Sequence, residues 1–167
     1  MNYSIVFSSL PGNTAALAER LRQLLPGEPC IYFGEPSDEA MEADTIFAGF
    51  WTDKGGCDEK TRLFLKQLDK KTVILFGTAG FGSDEEYFRH VLNEAEKNIP
   101  VSNTVLPGFM CQGKMKPQVK ERYVKMLEEN PEDAHIKMLI DNFDTASSHP
   151  DEGDFAKLEQ WCHQFHL

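Results

Sequence analysis

The stretch FSSLPGNTAAL, residues 7–17, joins an apolar run to a helix-like repeat through one tight turn. The run before it, residues 2–7, is rich in β-branched and aromatic side chains and stops at the Ser-Pro-Gly turn, which is typical of a buried strand. Asn13 and Thr14 are both good helix N-caps, and leucines then recur at helical spacing over residues 17–25. The stretch therefore predicts a strand, a turn and a helix.

The same alternation continues along the chain. Further apolar runs predict strands at 30–33, 44–51, 72–77 and 104–113. Helical spacing between and after them predicts one helix through Phe64, Leu65 and Leu68, one from Ser83 to Leu92, and one from about Asp154 to Phe165. The run 44–51 is apolar on both faces, as in a parallel strand covered on both sides. Pro107 and Gly108 predict a bulge or an edge position. We therefore predict an α/β fold: a doubly wound, five-stranded parallel sheet with helices on both faces.

The segment 114–150 adds two amphipathic helices to this alternation, and we predict that it is an extra helical segment within one domain spanning residues 1–167. Its first half holds a basic island in an acidic protein: Lys114, Lys116, Lys120, Arg122 and Lys125. The segment either simply packs as extra covering, or its basic island forms a docking face or a substrate lid. The sequence leaves both interpretations open.

Composition limits the classes of partner. The 167-residue chain has 17 basic and 27 acidic residues and a formal net charge of −10. Nucleic acids and anionic membranes select for Lys and Arg, so neither is a predicted partner. No apolar run reaches the roughly 20 residues that span a bilayer, and residues 1–7 lack a basic leader, which predicts a cytoplasmic protein. The four cysteines lie far apart in the sequence, which argues against a disulfide framework and a metal site.

Three segments follow predicted strands and should meet at the carboxyl edge of the sheet, where ligands of such sheets bind: 8–14, 51–58 and 77–84. The first offers hydroxyls, an amide and Gly12 before a helix N-terminus, which favours a phosphate. It has no Lys or Arg and matches neither the triphosphate nor the dinucleotide motif. The chemistry suits one terminal phosphate monoester, although a capped turn without a ligand explains the segment equally well.

The other two segments present aromatic side chains beside glycines. Trp51 precedes Gly55 and Gly56, and Phe81 lies between Gly80 and Gly82. Aromatic groups on glycine-rich loops next to a phosphate cradle suit a planar ring. The alternative is that each aromatic side chain only packs its own loop.

With these segments in order, the chain resembles the flavodoxin family. SLPGNT (9–14) is similar to the family's phosphate loop, [ST]-x-T-G-[NT]-T, and GTAGFGSD (77–84) is similar to its second flavin loop. The resemblance implies strand order 2-1-3-4-5 and flavin mononucleotide (FMN) as cofactor. It implies that Ser9, Gly12, Asn13 and Thr14 bind the phosphate, that Trp51 and Phe81 lie beside the isoalloxazine, and that Thr52 to Gly56 face its N5 edge. Further cofactor-binding residues implied by the resemblance are Ser8, Leu10, Thr78, Ala79, Gly80 and Gly82.

Two residues depart from the family's pattern. Pro11 stands where the family usually has threonine, so one hydroxyl and one backbone N–H donor are missing, which predicts weaker FMN binding. Ala79 occupies a position that is often aromatic, which predicts a ring that is more open on one side.

The function implied by the resemblance is electron transfer, in which the flavin carries the chemistry and no catalytic residue is needed. The implied partners are redox proteins: a reductase or ferredoxin-like carrier as donor and a reductase as acceptor. One alternative is an NAD(P)H-dependent FMN or quinone-type reductase, although no second nucleotide motif is present. A remote alternative is a flavin-free receiver domain, because Asp53, Thr78 and Lys114 fall at receiver positions. A receiver also needs acidic Mg²⁺ ligands after its first strand, where this chain has Ser8 and Ser9.

Overall fold

A computed structural model describes residues 2–82 and 84–165. The described strands are β1 (Tyr3–Phe7), β2 (Cys30–Gly34), β3 (Thr45–Asp53), β4 (Gly56–Cys57), β5 (Thr72–Ala79) and β6 (Thr104–Gln112). The α-helices are α1 (Asn13–Leu24), α2 (Glu59–Leu65), α3 (Glu85–Glu96), α4 (Pro117–Glu129), α5 (Ala134–Ala146) and α6 (Glu152–Cys162), and a short 3-10 helix covers Asp38–Glu42.

The sheet has the order β2-β1-β3-β5-β6, with neighbouring strands parallel. Counting only these five strands, this is the predicted order 2-1-3-4-5, and the prediction is confirmed. The sequence gives no sign of β4, which pairs antiparallel with the end of β3 as a short hairpin. Two residues are too few to show a periodic pattern, so this strand escaped prediction.

Each face of the sheet is covered by helices, and β3 supplies side chains to both. Ile46, Ala48 and Phe50 belong to the core on one face together with residues of α2 and α3, whereas Phe47 belongs to the core on the other face together with residues of α1 and α6. This two-sided burial follows from the alternation of side chains along a strand. Each large apolar side chain buried in this way contributes about 1.5–3 kcal/mol to folding.

The edge strand β6 bends where the sequence predicts it. Its pairing with β5 shifts register between Ile74 and Phe76, opposite the Pro107–Gly108 dipeptide. The carbonyl of Pro107 accepts a hydrogen bond from Trp161 Nε1 of α6 at 3.0 Å. The predicted bulge and edge position are therefore both present.

Two helix starts differ from the sequence-based expectation. α1 begins at Asn13, but its N-cap is Gly12 at φ 122°, and neither Asn13 nor Thr14 caps it. The side chains of both residues are engaged elsewhere, as shown below. α3 is capped by Asp84, whose carboxylate accepts from Tyr87 N at 2.7 Å, whereas the predicted cap, Ser83, lies outside the described residues.

The two helices predicted after β6 are present as α4 and α5, which pack against each other. The two ends of the segment that carries them are joined to each other, since Lys114 N donates to His149 O at 3.0 Å. That 114–150 belongs to the same folding unit as the sheet stays a prediction. None of the helices described in residues 2–82 and 84–165 has the length and apolarity to cross a membrane.

A buried carboxylate fixes the hairpin that follows β3. Asp58 is 2% exposed; it accepts hydrogen bonds from Trp51 N at 3.3 Å, from Thr61 N at 3.2 Å and from the Thr61 hydroxyl at 2.9 Å. One side chain therefore caps α2 and holds the end of β3.

We expect Asp58→Ala to lower the free energy of unfolding by about 3 kcal/mol, because it leaves buried donors unpaired. The matched variant Asp84→Ala removes an exposed cap with one bond and should cost about 1 kcal/mol. Urea unfolding of both variants and the parent checks this. Equal losses of unfolding free energy in the two variants would contradict the conclusion that Asp58 stabilises both α2 and the end of β3.

Candidate functional site

The carboxyl ends of β1, β3, β5 and β6 meet at one edge of the sheet and enclose a small cavity of about 200 Å³. Its lining combines the loop after β1, the ends of β3 and β5, and the segment after β6: Leu10, Pro11, Asn13, Trp51, Thr52, Thr78, Gly80, Lys114, Met115, Lys116 and Val119. This is the edge at which a doubly wound sheet binds ligands.

A buried pair of hydroxyl groups joins three elements beneath this cavity. Thr14 is fully buried; its Oγ1 donates to Phe50 O at 3.0 Å and lies 3.0 Å from Thr78 Oγ1. Because a hydroxyl has one proton and a carbonyl can only accept, Thr78 is the donor to Thr14. The start of α1 is thereby fixed to the ends of β3 and β5. The Thr14 hydroxyl points into the protein, so it is not available to a phosphate.

The amide nitrogen of the Asn13 side chain is hydrogen-bonded within the described residues, whereas its amide oxygen is not. The residue is 4% exposed, and Nδ2 donates to Lys114 O at 2.7 Å. Oδ1 is buried and has no hydrogen-bond partner within the described part of the chain. A buried acceptor left unpaired costs about 1–3 kcal/mol, so this atom calls for a donor in the cavity.

The loop from Ser9 to Gly12 is shaped around the first turn of α1. Ser9 Oγ accepts from Ala15 N at 3.0 Å, and Gly12 takes a φ of 122°, which favours glycine. The first amides of a helix have no partner within the helix and carry the positive end of its dipole. This loop therefore has the character of an anion site without a cationic side chain of its own. Pro11 cannot add a donor.

Trp51 and Thr52 reach the cavity, whereas the predicted glycines of the same loop do not. Thr52 Oγ1 donates to Thr78 O at 2.8 Å, which fixes its position over the neighbouring strand. Gly55 and Gly56 instead line a separate cavity of about 430 Å³ beside α3. The structure therefore places Thr52 and the two glycines at different cavities, with the glycines on the hairpin that β4 forms with β3, and the placement of 52–56 along the flavin N5 edge stays a prediction.

The residues at and after the end of β5 also differ in whether they line the cavity. Gly80 lines the cavity, and an added Cβ there would overlap the side chain of Met115. Ala79 is buried in the core below the cavity, and its effect on the openness of the ring stays a prediction. Phe81 is 46% exposed and meets Tyr87 edge to face at 6.2 Å between ring centroids. Gly82 adopts a φ of 81° beside it.

The segment after β6 is the part of the site that sequence reasoning missed. Residues 114–116 and Val119 line the cavity. A Cβ at Gly113 would lie 2.5 Å from Asn13 Nδ2, so glycine is needed where this segment crosses α1. The predicted topology contained the information needed to find it. Because β6 is parallel to the other strands, the segment that follows it must begin at the same edge of the sheet.

The added helices also hold the loop after β5. Asn142 of α5 donates from Nδ2 to Gly80 O at 2.9 Å, and its Oδ1 accepts from Gly82 N at 3.4 Å and from Gln112 Nε2 at 3.3 Å. A side chain from the segment 114–150 thus completes the hydrogen bonding of a loop at the site.

The comparisons with known proteins agree with this architecture. Residues 4–163 match the family model described as Flavodoxin domain. The chain belongs to the flavodoxin family. A flavodoxin-like domain-containing protein, BilS, of Clostridium symbiosum (strain WAL-14163) is 42% identical over 178 residues, which cover 96% of this chain and 94% of the relative.

Solved structures show the same fold at low identity. Oxidised flavodoxin 2 from Bacillus cereus has a TM-score of 0.57 and 14% identity, covering 99% of this chain and 100% of its own. A flavoprotein in complex with FMN from Lactobacillus acidophilus NCFM has a TM-score of 0.51 and 12% identity, covering 66% of this chain and 93% of its own. Family membership confirms the flavodoxin resemblance and supports FMN as the cofactor.

The residues at the site fit part of that cofactor directly. A helix N-terminus suits a phosphate, the unpaired Asn13 Oδ1 can accept a hydrogen bond from a hydroxyl group of the cofactor, and Trp51 lines the cavity. The cavity of about 200 Å³ is smaller than the roughly 300–1,000 Å³ of ordinary ligand pockets. A whole flavin nucleotide must therefore extend beyond it toward the rim or displace part of the segment 113–119.

Cys57, next to the hairpin glycines, is an inert thiol in this environment. Burial raises the pKa of Cys57 to about 11, and the Asp58 carboxylate adds to the shift. Since the thiolate is the nucleophile, about one molecule in a thousand is reactive near pH 8.

We expect iodoacetamide to label Cys57 far more slowly than the half-buried Cys30 at a pH of about 8. The rate at Cys57 should rise as the pH approaches 11, because the protonated form is favoured below that pKa. Peptide mass spectrometry of timed samples measures both sites. Rapid labelling of Cys57 at neutral pH would contradict a buried, protonated thiol.

Proposed function

We propose that this chain binds FMN at the cavity on the carboxyl edge and carries electrons between redox proteins. The observation that carries the proposal is the buried, unpaired Asn13 Oδ1, which lies at a cavity between the N-terminus of α1 and Trp51. A ligand that fills this space needs an anionic end, hydroxyl donors and a planar ring, and FMN has all three.

The parts of the cofactor are assigned by donor chemistry. The loop Ser9–Gly12 and the first turn of α1 receive the phosphate, because their backbone amides are donors and phosphate oxygens are acceptors. Asn13 Oδ1 accepts from a ribityl hydroxyl, since a fully ionised phosphate has no proton to donate. Trp51 and the rim residue Phe81 are assigned to the ring.

Lysines from the segment after β6 offset the lack of charge in the phosphate loop. Lys114 and Lys116 line the same cavity as Pro11, at the place where the family's loop would supply a further donor. A cation near a phosphate contributes without needing the missing N–H. The segment 113–119 is therefore part of the binding site in this proposal.

The chemistry that bound FMN would supply is electron transfer between a donor and an acceptor. The chain's own residues bind and orient FMN, and Trp51 and Met115 exclude water from its inner side. No side chain needs to act as acid, base or nucleophile in this role. The donor is a reductase or a ferredoxin-like carrier, and the acceptor is a reductase.

Titration with FMN and with riboflavin tests the cofactor assignment. Flavin fluorescence should be quenched by the parent protein with FMN, and more weakly with riboflavin, because riboflavin lacks the phosphate. Asn13→Ala should weaken the binding of both flavins roughly tenfold by removing the ribityl acceptor. Quenching that is equal for FMN and riboflavin would contradict a phosphate site at α1.

A glycine substitution separates the phosphate from the rest of the cofactor. Gly12→Ala should weaken FMN roughly tenfold and leave riboflavin nearly unchanged, because alanine disfavours the φ of 122° that shapes this loop. Gly27→Ala is the matched control, since Gly27 has open space around it and lies outside the site. An equal effect of Gly12→Ala on both flavins would count against this placement.

The electron-transfer role is tested by reducing the FMN complex anaerobically, with and without a redox partner protein. We expect rapid reduction by a ferredoxin or a flavoprotein reductase, and no steady oxidation of NADPH by the protein alone. Turnover of NADPH without a second protein would favour the alternative of an NAD(P)H-dependent reductase.

A further inference from the structure

A second, larger cavity lies on the added helices next to the cofactor site. It is a groove of about 710 Å³ along α4 and α5, with Met115, Val124 and Phe143 among its apolar lining residues. Lys114 and Met115 line both this groove and the smaller cavity. A molecule in the groove would therefore lie beside anything bound at the carboxyl edge.

α4 is left with much of its apolar surface open. All thirteen of its residues are described and none is buried, although the helix is amphipathic. Val124 and Met126 are exposed. A helix normally covers its apolar stripe against its own protein, and here α5 covers only part of it. Apolar surface of this kind, rimmed by charged groups, marks an interaction site.

The first part of the added segment is basic, unlike the protein as a whole, and Glu128 and Glu129 follow it directly. Residues 114–127 carry five cationic side chains and one carboxylate, in a chain with a net charge of −10. Lys114, Lys120 and Lys125 line the groove. Two carboxylates, Glu121 and Glu128, line it as well, and Lys120 forms an exposed ion pair with Asp144 at 2.7 Å.

Acidic side chains are exposed at or after the ends of β3 and β5. Asp53 on the β3–β4 hairpin and Asp84, Glu85 and Glu86 at the start of α3 are exposed. The chain at and after the ends of β3 and β5 thus exposes carboxylates, whereas the start of the segment after β6 is basic. An acidic partner is repelled by the first and attracted by the second, so complementarity directs it to the added helices.

We propose that the groove between α4 and α5 docks an acidic, amphipathic segment of the redox protein that exchanges electrons with the flavin. This inference rests on the proposed function. Apolar side chains of that segment fill the groove over Met115 and Val124, and its carboxylates meet Lys120 and Lys125. Recognition of an acidic partner is thus assigned to residues 114–125, the basic first part of the added segment, and the acidic remainder of the protein disfavours other orientations.

The test uses FMN-loaded protein and a fluorescein-labelled helical peptide of about 15 residues, with leucines on one face and glutamates on the other. Its twin has lysine in place of each glutamate. Fluorescence anisotropy should show binding of the acidic peptide that weakens with salt. The double variant Lys120→Ser, Lys125→Ser should weaken it roughly tenfold, and Val124→Ser should weaken it as well.

The matched control is Lys60→Ser, Lys66→Ser on α2 and its end. It also removes two charges and one surface ion pair, Lys60–Glu35 at 3.5 Å, and should leave peptide binding unchanged. Equal losses in the two double variants would overturn the proposal, as would preference for the lysine peptide. Evidence for a different occupant of the groove would also overturn it. Such evidence is binding of an aromatic sulfonate dye to the groove when the peptide does not bind, or a dimer seen by sedimentation that Val124→Ser abolishes, which would make a second copy of this chain the occupant.

FMN titration of the same samples separates this proposal from the proposed function. FMN affinity should be the same in both double variants as in the parent. If the parent binds FMN but not the acidic peptide, the docking proposal fails and the cofactor assignment stands. If it binds the peptide but not FMN, the proposed function fails, and with it the electron-transfer role of the groove.

Discussion

The hydroxyl of Thr14 is the constraint on which the functional edge of this protein depends. By donating to Phe50 O and accepting from Thr78, it fixes the N-terminus of α1 against the ends of β3 and β5 at a position with no access to water. The helix amides, Trp51 and Gly80 consequently share one small cavity. A buried network of this kind is satisfied by the protein itself, so the edge is formed before a ligand arrives.

The segment that carries the added helices contributes residues to this edge of the sheet. The segment 113–119 crosses the site because Asn13 binds Lys114 O, and Asn142 of α5 holds the loop after β5. The cofactor cavity and the groove on α4 and α5 therefore share a wall at Lys114 and Met115. Cofactor binding and partner recognition are expected to be neighbours on this surface.

The sequence predicts the fold well because the strands are long and apolar and the helices strongly periodic. The bulge at Pro107 and the two helices after β6 follow from patterns along the chain, whereas the sheet order follows from the resemblance to the flavodoxin family. The site was harder to predict, because the type of a residue does not determine where its side chain points. Thr14 and Asn13 have groups that suit a phosphate, but their side chains donate hydrogen bonds to Phe50 O and Lys114 O instead. The hairpin that carries Gly55 depends on the two residues of β4. The contact of 113–119 with α1 is long-range and has no local signature.

Backbone hydrogen exchange of the protein with and without FMN tests the central claim most directly. The account predicts that FMN slows exchange in four separate segments: 8–14, 51–52, 78–82 and 113–119. The last is decisive, because only the observed crossing of α1 brings it to the cofactor. Protection confined to the first three segments, or extended to 54–57 in place of 113–119, would contradict the account.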